Sequence, residues 1–144
     1  MPRLKAVIDI DAPREHVFAA AAPLKMPEWT THVRDVTVTE GDGKTAGTKD
    51  RTTIKVTPRE NTLEGEWTEF RPGEVWARTF TGYLEGEERI SLAEMDGGTR
   101  LEWTFNYTPP FGVIGKIGAL LVTSRVVRNN MESSLDTLKR ELEL

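Results

Sequence analysis

The ionisable residues that fall inside strand-like text decide what chemistry this chain can attempt. Arg78 shares its alternation with Trp76 and Phe80. A guanidinium on a face otherwise set for burial has a planar fork that matches a ligand carboxylate or phenolate; a salt bridge or a solvent-facing tip is the structural alternative. Asp50, Arg51, Glu69 and Glu102 also sit in strand-like stretches. Any of them turned into an apolar interior would be desolvated and shifted in pKa, although most charges on strands simply face water. His32 stands just before a strand. An imidazole that titrates near ~6.5 is the natural proton carrier at neutral pH, against the plain reading of a surface-loop histidine. Arg78, Glu69 and His32 are therefore the candidate catalytic residues.

Histidine offers nothing further. His16, between Glu15 and Val17 on a short amphipathic stretch, reads as exposed, and two histidines without an H-E-x-x-H pattern give no metal site. Gly112, Gly115 and Gly118 superficially suggest a phosphate loop, but the spacing is wrong and no Lys-Ser/Thr follows, so no nucleotide or other cofactor is expected. The aromatic residues carry more. Trp29, Trp67, Trp76 and Trp103 offer large rigid contact area to an apolar ligand, and serve equally as ordinary core residues. Tyr83 and Tyr107 can donate a hydrogen bond to a ligand carbonyl or remain core rings with wet tips.

The elements that must position these residues are legible from periodicity. Leu4, Ala6, Ile8 and Ile10 alternate with Lys5, Val7 and Asp9, which predicts a strand over 4–10. Asp11-Ala12-Pro13 opens a short helix, with the N-cap at Asp11 or Ala12 and a stop at Pro23. Pro23 and Pro27 leave room for one helical turn, with Trp29 just beyond it. Turn chemistry at Gly41-Asp42-Gly43, Pro58-Arg59-Glu60-Asn61, Arg71-Pro72-Gly73, Glu85-Gly86 and Asp96-Gly97-Gly98 then predicts antiparallel strands near 33–40, 46–56, 61–70, 74–84, 87–95 and 99–108. After Pro109-Pro110, Ile114, Ile117, Leu121, Val127, Met131, Leu135, Leu138 and Leu142 form one helical stripe. A helix of ~30 residues would run ~45 Å, enough to cross the sheet diagonally, with its three glycines near a loosely formed start that can gate a ligand. Only that helix has enough apolar length to cover a sheet face, so the sheet must curl around it and leave a cavity between them.

Composition narrows the function classes. The chain has 144 residues, 38% hydrophobic and 29% charged, which fits one folded domain with one core. Its formal charge of −4 is scattered, with no basic stripe for nucleic acid. The absence of cysteine excludes disulfides, thiolate ligands and a cysteine nucleophile. Neither a signal-peptide core nor a run of ~20 apolar residues is present, so a cytoplasmic protein, monomer or homodimer, without a membrane span is expected.

Taken in order, Ile10-Asp11-Ala12-Pro13-Arg14-Glu15-His16-Val17-Phe18, Pro27-Glu28-Trp29, Gly97-Gly98-Thr99-Arg100-Leu101-Glu102-Trp103 and Asn130-Met131-Glu132-Ser133-Ser134-Leu135-Asp136-Thr137-Leu138-Lys139 resemble the SRPBCC or START-like helix-grip superfamily, in particular its polyketide cyclase/dehydrase-like group. The resemblance spans nearly the whole chain. It implies an α+β helix-grip fold, a curved seven-stranded antiparallel sheet around a long C-terminal helix with short helices between its first two strands. It also implies a deep hydrophobic cavity that binds or carries lipids, sterols or polyketides and in some members cyclises or dehydrates them, with no shared catalytic motif. On this reading Trp29, Trp67, Phe80, Trp103, Phe105 and Tyr107 line the cavity, and Ile117, Leu121 and Met131 close it from the helix. The alternatives are a cyclase or dehydratase, and a protein-interaction module offering helix and sheet edge to a partner.

Overall fold

A computed structural model describes residues 3–55, 60–108 and 124–144 of the chain. Its elements run β1 (Arg3–Ile10), α1 (Arg14–Ala21), a 3-10 turn (Pro23–Lys25), α2 (Met26–Trp29), β2 (Val33–Glu40), β3 (Lys49–Lys55), β4 (Glu60–Arg71), β5 (Val75–Gly82), β6 (Glu85–Met95), β7 (Gly98–Thr108) and α3 (Ser124–Leu142). The strands form a single antiparallel sheet in the order β1-β7-β6-β5-β4-β3-β2. Sequence neighbours β1 and β2 thus sit at opposite edges, and the chain between them must cross one face of the sheet. α1, the 3-10 turn and α2 make that crossing.

Alternation sets which face they cover. Leu4, Ala6 and Ile10 on β1 share the buried face with Leu101, Trp103, Phe105 and Tyr107 on β7, Ile90 and Leu92 on β6, and Trp76 and Phe80 on β5. Their opposite neighbours carry ion pairs that remain in water, among them Lys5 to Glu102, Arg51 to Glu64 and Arg89 to Glu69. α3 presents Met131, Ser134, Leu135 and Leu138 to the same inner face. Its end is clamped to β1, with Lys139 Nζ donating to the Asp9 carbonyl at 2.6 Å and Glu143 accepting the Asp11 amide at 2.8 Å. Trp76 ties the sheet to α1, its indole N–H donating to the Ala21 carbonyl at 3.0 Å.

Three local expectations are corrected. The first helix is entered one or two residues later than Asp11 or Ala12, with Pro13 extended at the N-cap and no side-chain cap; proline's preset φ supplies the entry. Trp29 is the last residue of α2 rather than a residue beyond it. The β5–β6 reversal falls on Tyr83 and Leu84, whereas Gly86 lies inside β6 opposite Phe80 and Tyr107. Gly86 is needed for closeness and not for a turn: a Cβ there would lie 2.0 Å from the Asn106 carbonyl oxygen and 2.8 Å from Tyr107 Cα. The remaining strand limits agree with the expected ones to within a few residues. Pro58, Arg59, Ile114, Ile117, Leu121 and the glycines at 112, 115 and 118 lie outside the described residues, as does the proposed gate.

Because the atoms that crowd Gly86 are backbone, they cannot rotate away. Gly86→Ala is expected to cost on the order of 3 kcal/mol, lowering Tm by roughly 6–12 °C in a circular-dichroism melt. A shift under about 2 °C would show that β6 and β7 can part at no cost.

Candidate functional site

Among the described residues, fully buried charge is gathered in one place. The Arg78 side chain on β5 is 2% exposed, and its guanidinium is divided between two carboxylates. Nε donates to Glu88 Oε2 at 2.7 Å, and Nη1 donates to Asp50 Oδ2 at 3.1 Å and to Thr52 Oγ1 at 2.9 Å. The remaining carboxylate oxygens are also used. Trp67 Nε1 donates to Asp50 Oδ2 at 2.7 Å, Trp103 Nε1 to Glu88 Oε1 at 3.0 Å, and Thr52 Oγ1 to Asp50 Oδ1 at 2.9 Å. Burial by itself would depress the guanidinium's pKa, but Glu88 and Asp50 outweigh it and hold Arg78 above its ordinary value.

Local sequence explains how the cluster fits. Asp50, Thr52 and Ile54 share one side of β3, and Glu88, Ile90 and Leu92 one side of β6, so each strand carries its acid inward on an otherwise apolar period. Gly65 on β4 lies opposite Asp50; a Cβ there would approach Asp50 Oδ1 to 2.7 Å. The missing side chain makes room for the carboxylate.

Around this knot the inner face is aromatic. Trp29 meets Trp103 edge-on with ring centroids 5.2 Å apart, Phe80 stacks on Phe105 at 5.3 Å, and Phe105 tilts against Tyr107 at 5.6 Å. Trp67 stacks on Phe70 at 5.3 Å. Such pairs add ~0.5–1.5 kcal/mol each beyond area burial. Tyr107's phenol is held above its usual pKa by burial, partly offset by a hydrogen bond with Ser124 at the start of α3.

The candidates chosen from sequence separate accordingly. Arg78 and Asp50 face inward; Arg51, Glu69 and Glu102 face outward. For Glu69 the cause is a β-bulge. Trp67 pairs with Arg78 while Glu69 pairs with Ala77, so Thr68 is the extra residue and parity reverses across it. Phe70 then takes the inward place that simple alternation gives Glu69. A bidentate grip by Arg78 on a ligand carboxylate is corrected too, since its Nε and Nη1 edges are taken by Glu88 and Asp50. Among the described residues Nη2 has only the Met26 thioether as a hydrogen-bond partner, at 3.9 Å. Trp29, Trp67, Phe80, Trp103, Phe105, Tyr107 and Met131 are all buried, whereas Ile117 and Leu121 lie outside the described residues.

His32 is not a surface-loop residue. It is half-buried, with Nδ1 sealed from solvent and without a hydrogen-bond partner among the described residues. Burial, reinforced by the Arg78 charge, pushes its pKa down to about 4. Trp29, 2% exposed, likewise has no acceptor for its indole N–H among the described residues. Sequence reasoning missed Glu88 and Thr52, although Glu88 shares its parity with Ile90 and Leu92 and Thr52 with Ile54, which is a readable signal. Among the described residues no cluster of three or more His, Cys, Asp or Glu could hold a metal, and no helix is long and apolar enough to cross a membrane.

Two outcomes follow from the electrostatics. Arg78→Met strands two buried carboxylates and is expected to cost about 3–5 kcal/mol in urea unfolding, while adding Asp50→Asn and Glu88→Gln to it recovers at least half of the loss. Failure of the triple variant to recover would mean that Arg78 acts through packing. His32's folded pKa lies below its unfolded value of 6.5. Its contribution is therefore complete above that value and lost as pH falls towards about 4, on the order of 2–3 kcal/mol. Stability of His32→Gln measured across this window should fall less with acid than that of the parent.

Comparison with known proteins agrees with this geometry. Residues 1–143 match the family described as polyketide cyclase/dehydrase and lipid transport. Among solved structures, the Zhui aromatase/cyclase from Streptomyces sp. R1128 superposes with a TM-score of 0.76 at 15% identity, covering 99% of this chain and 93% of that one. A START superfamily protein from Mycobacterium smegmatis gives 0.75 at 12% identity over 98% and 97% of the two chains. The Aha1 dimer from Colwellia psychrerythraea gives 0.66 at 15% identity over 100% and 98%. At these identities the superpositions speak for the helix-grip fold alone. Comparison with the curated proteins gives no match. With a family match over nearly its full length and a seven-stranded sheet gripping its terminal helix, the chain belongs to the polyketide cyclase/dehydrase and lipid transport family.

Proposed function

We propose that this protein binds or carries a small hydrophobic ligand, a lipid or an aromatic polyketide-like molecule, between the sheet and the C-terminal helix. The observation that carries the reading is the make-up of the inner face: six aromatic side chains, Trp29, Trp67, Phe80, Trp103, Phe105 and Tyr107, surround ionised groups that are already paired with one another. Such a wall gains free energy from apolar burial, at ~25 cal/mol per Å² before the costs of association.

What supports binding over cyclisation or dehydration is the state of the ionisable groups. Arg78 is engaged by Glu88 and Asp50, Glu69 stands on the far side of the sheet, and an imidazole with a pKa of about 4 is a weak general base at neutral pH. None of the three carries a free proton-transfer function on the inner face.

The test is direct. A titration with N-phenylnaphthylamine, a neutral apolar fluorophore, is expected to show saturable enhancement and quenching of tryptophan emission, and native mass spectrometry of protein purified from its own host is expected to show a retained apolar molecule. No saturable binding together with no retained mass would sink the carrier reading.

A further inference from the structure

Among the described residues, the Trp29 indole N–H and His32 Nδ1 are buried without a hydrogen-bond partner, and Arg78 Nη2 has only a thioether. Met26 and Trp29 are three residues apart on α2 and so share its inward face. Met26 Sδ is the only described contact of Arg78 Nη2, at 3.9 Å. The Trp29 ring packs edge-on against Trp103, whose own indole N–H is spent on Glu88, the acid that binds Arg78 Nε. His32 follows Trp29 by three residues, feels the Arg78 charge, and seals an unpartnered Nδ1. The Trp29 indole N–H and the His32 ring nitrogen thus belong to one short segment, α2 and the residues just after it, that packs beside the Arg78 cluster.

A buried N–H or imidazole nitrogen left unsatisfied costs about 1–3 kcal/mol, so both groups call for an occupant that answers them. Trp29 Nε1 can only donate. His32 is neutral at physiological pH, and a neutral imidazole presents Nδ1 as donor or acceptor according to tautomer. A hydroxyl both accepts and donates, and satisfies the pair in either tautomer. A carboxylate does not suit the place: Asp50 and Glu88 against Arg78 leave one formal negative charge in excess within the same cluster, and a second buried anion would be repelled.

Resting on the carrier reading above, we infer that Trp29 and His32 form a hydroxyl-recognition subsite, so that the ligand is a neutral phenol, enol or alcohol on an apolar body and not a fatty or aromatic carboxylic acid. The indole N–H donates to the hydroxyl oxygen, and the hydroxyl pairs with His32 Nδ1. No proton leaves the ligand.

Calorimetric titration at neutral pH with naphthalene, naphthol and naphthoate compares one aromatic body with no head, a hydroxyl and a carboxylate. Naphthol is expected to bind about tenfold more tightly than naphthalene, and naphthoate no better than naphthalene. Trp29→Phe and His32→Leu should each shrink the ratio of naphthol to naphthalene affinity severalfold, whatever either does to apolar binding as a whole. In the unmutated protein the Trp29 indole N–H resonance should move with naphthol and not with naphthalene, a readout that stands even where a variant folds poorly. Equal affinity for naphthol and naphthalene, or an unmoved indole resonance, overturns the subsite and leaves it a place for bound water, with the carrier reading intact. Preference for naphthoate overturns it as well. Absence of binding by all three probes overturns both the subsite and the carrier reading.

Discussion

Everything on the inner face is arranged around one buried guanidinium. Arg78 on β5 holds Asp50 of β3 and Glu88 of β6, and those acids in turn receive the indoles of Trp67 on β4 and Trp103 on β7. Five adjacent strands are thereby joined by hydrogen bonds that run across the sheet through side chains. Such a cluster is poor evidence for net stability, because the desolvation of three ionisable groups offsets most of their attraction. Its stronger consequence is register. A slip of one residue in any of these strands would turn a member of the cluster to the outer face and leave its partners buried and unpaired, a penalty that apolar side chains alone do not impose.

The same arrangement shapes what the interior can accept. With the carboxylate oxygens and two edges of the guanidinium occupied, the cluster behaves as a nearly closed polar unit set into an aromatic wall. The open hydrogen-bonding capacity lies beside it, on α2 and the residues that follow it. That capacity arises because the chain must cross from one edge of the sheet to the other between β1 and β2, and the short helices of the crossing segment bury Met26 and Trp29, with His32 just after them. Cluster and crossing segment together make a face that is apolar, slightly negative in formal charge, and polar at one corner.

Much of this was legible without coordinates where periodicity was strong. Leu101, Trp103, Phe105 and Tyr107 alternate cleanly and are all buried, and β2 begins and ends where the hydrophobic pattern and the following Gly-Asp-Gly turn put it. The inward turn of Arg78 followed from its parity with Trp76 and Phe80. Glu69 did not follow, because a bulge at Thr68 breaks the parity that makes such reasoning possible, and a bulge has no signature in an acidic, aromatic stretch such as Glu66-Trp67-Thr68-Glu69-Phe70. Gly86 misled in the opposite direction: a glycine beside a glutamate looks like a turn, while here it marks the closest approach of β6 to β7.

By itself the amino-acid sequence determined the element order, the dry face of the sheet and the family pattern, since these rest on local periods of two and 3.6 residues and on turn chemistry that neighbouring residues supply. Only the tertiary structure decided the partners. That Arg78 is spent on Asp50 and Glu88, that the Trp67 and Trp103 indoles are satisfied while the Trp29 indole finds no acceptor among the described residues, and that His32 is half-buried with its pKa pushed down all depend on which strands lie side by side and what the β1–β2 crossing covers. Hydrogen bonds and desolvation act over a few ångströms in space, between residues up to dozens of positions apart in the chain, and no local pattern encodes that proximity.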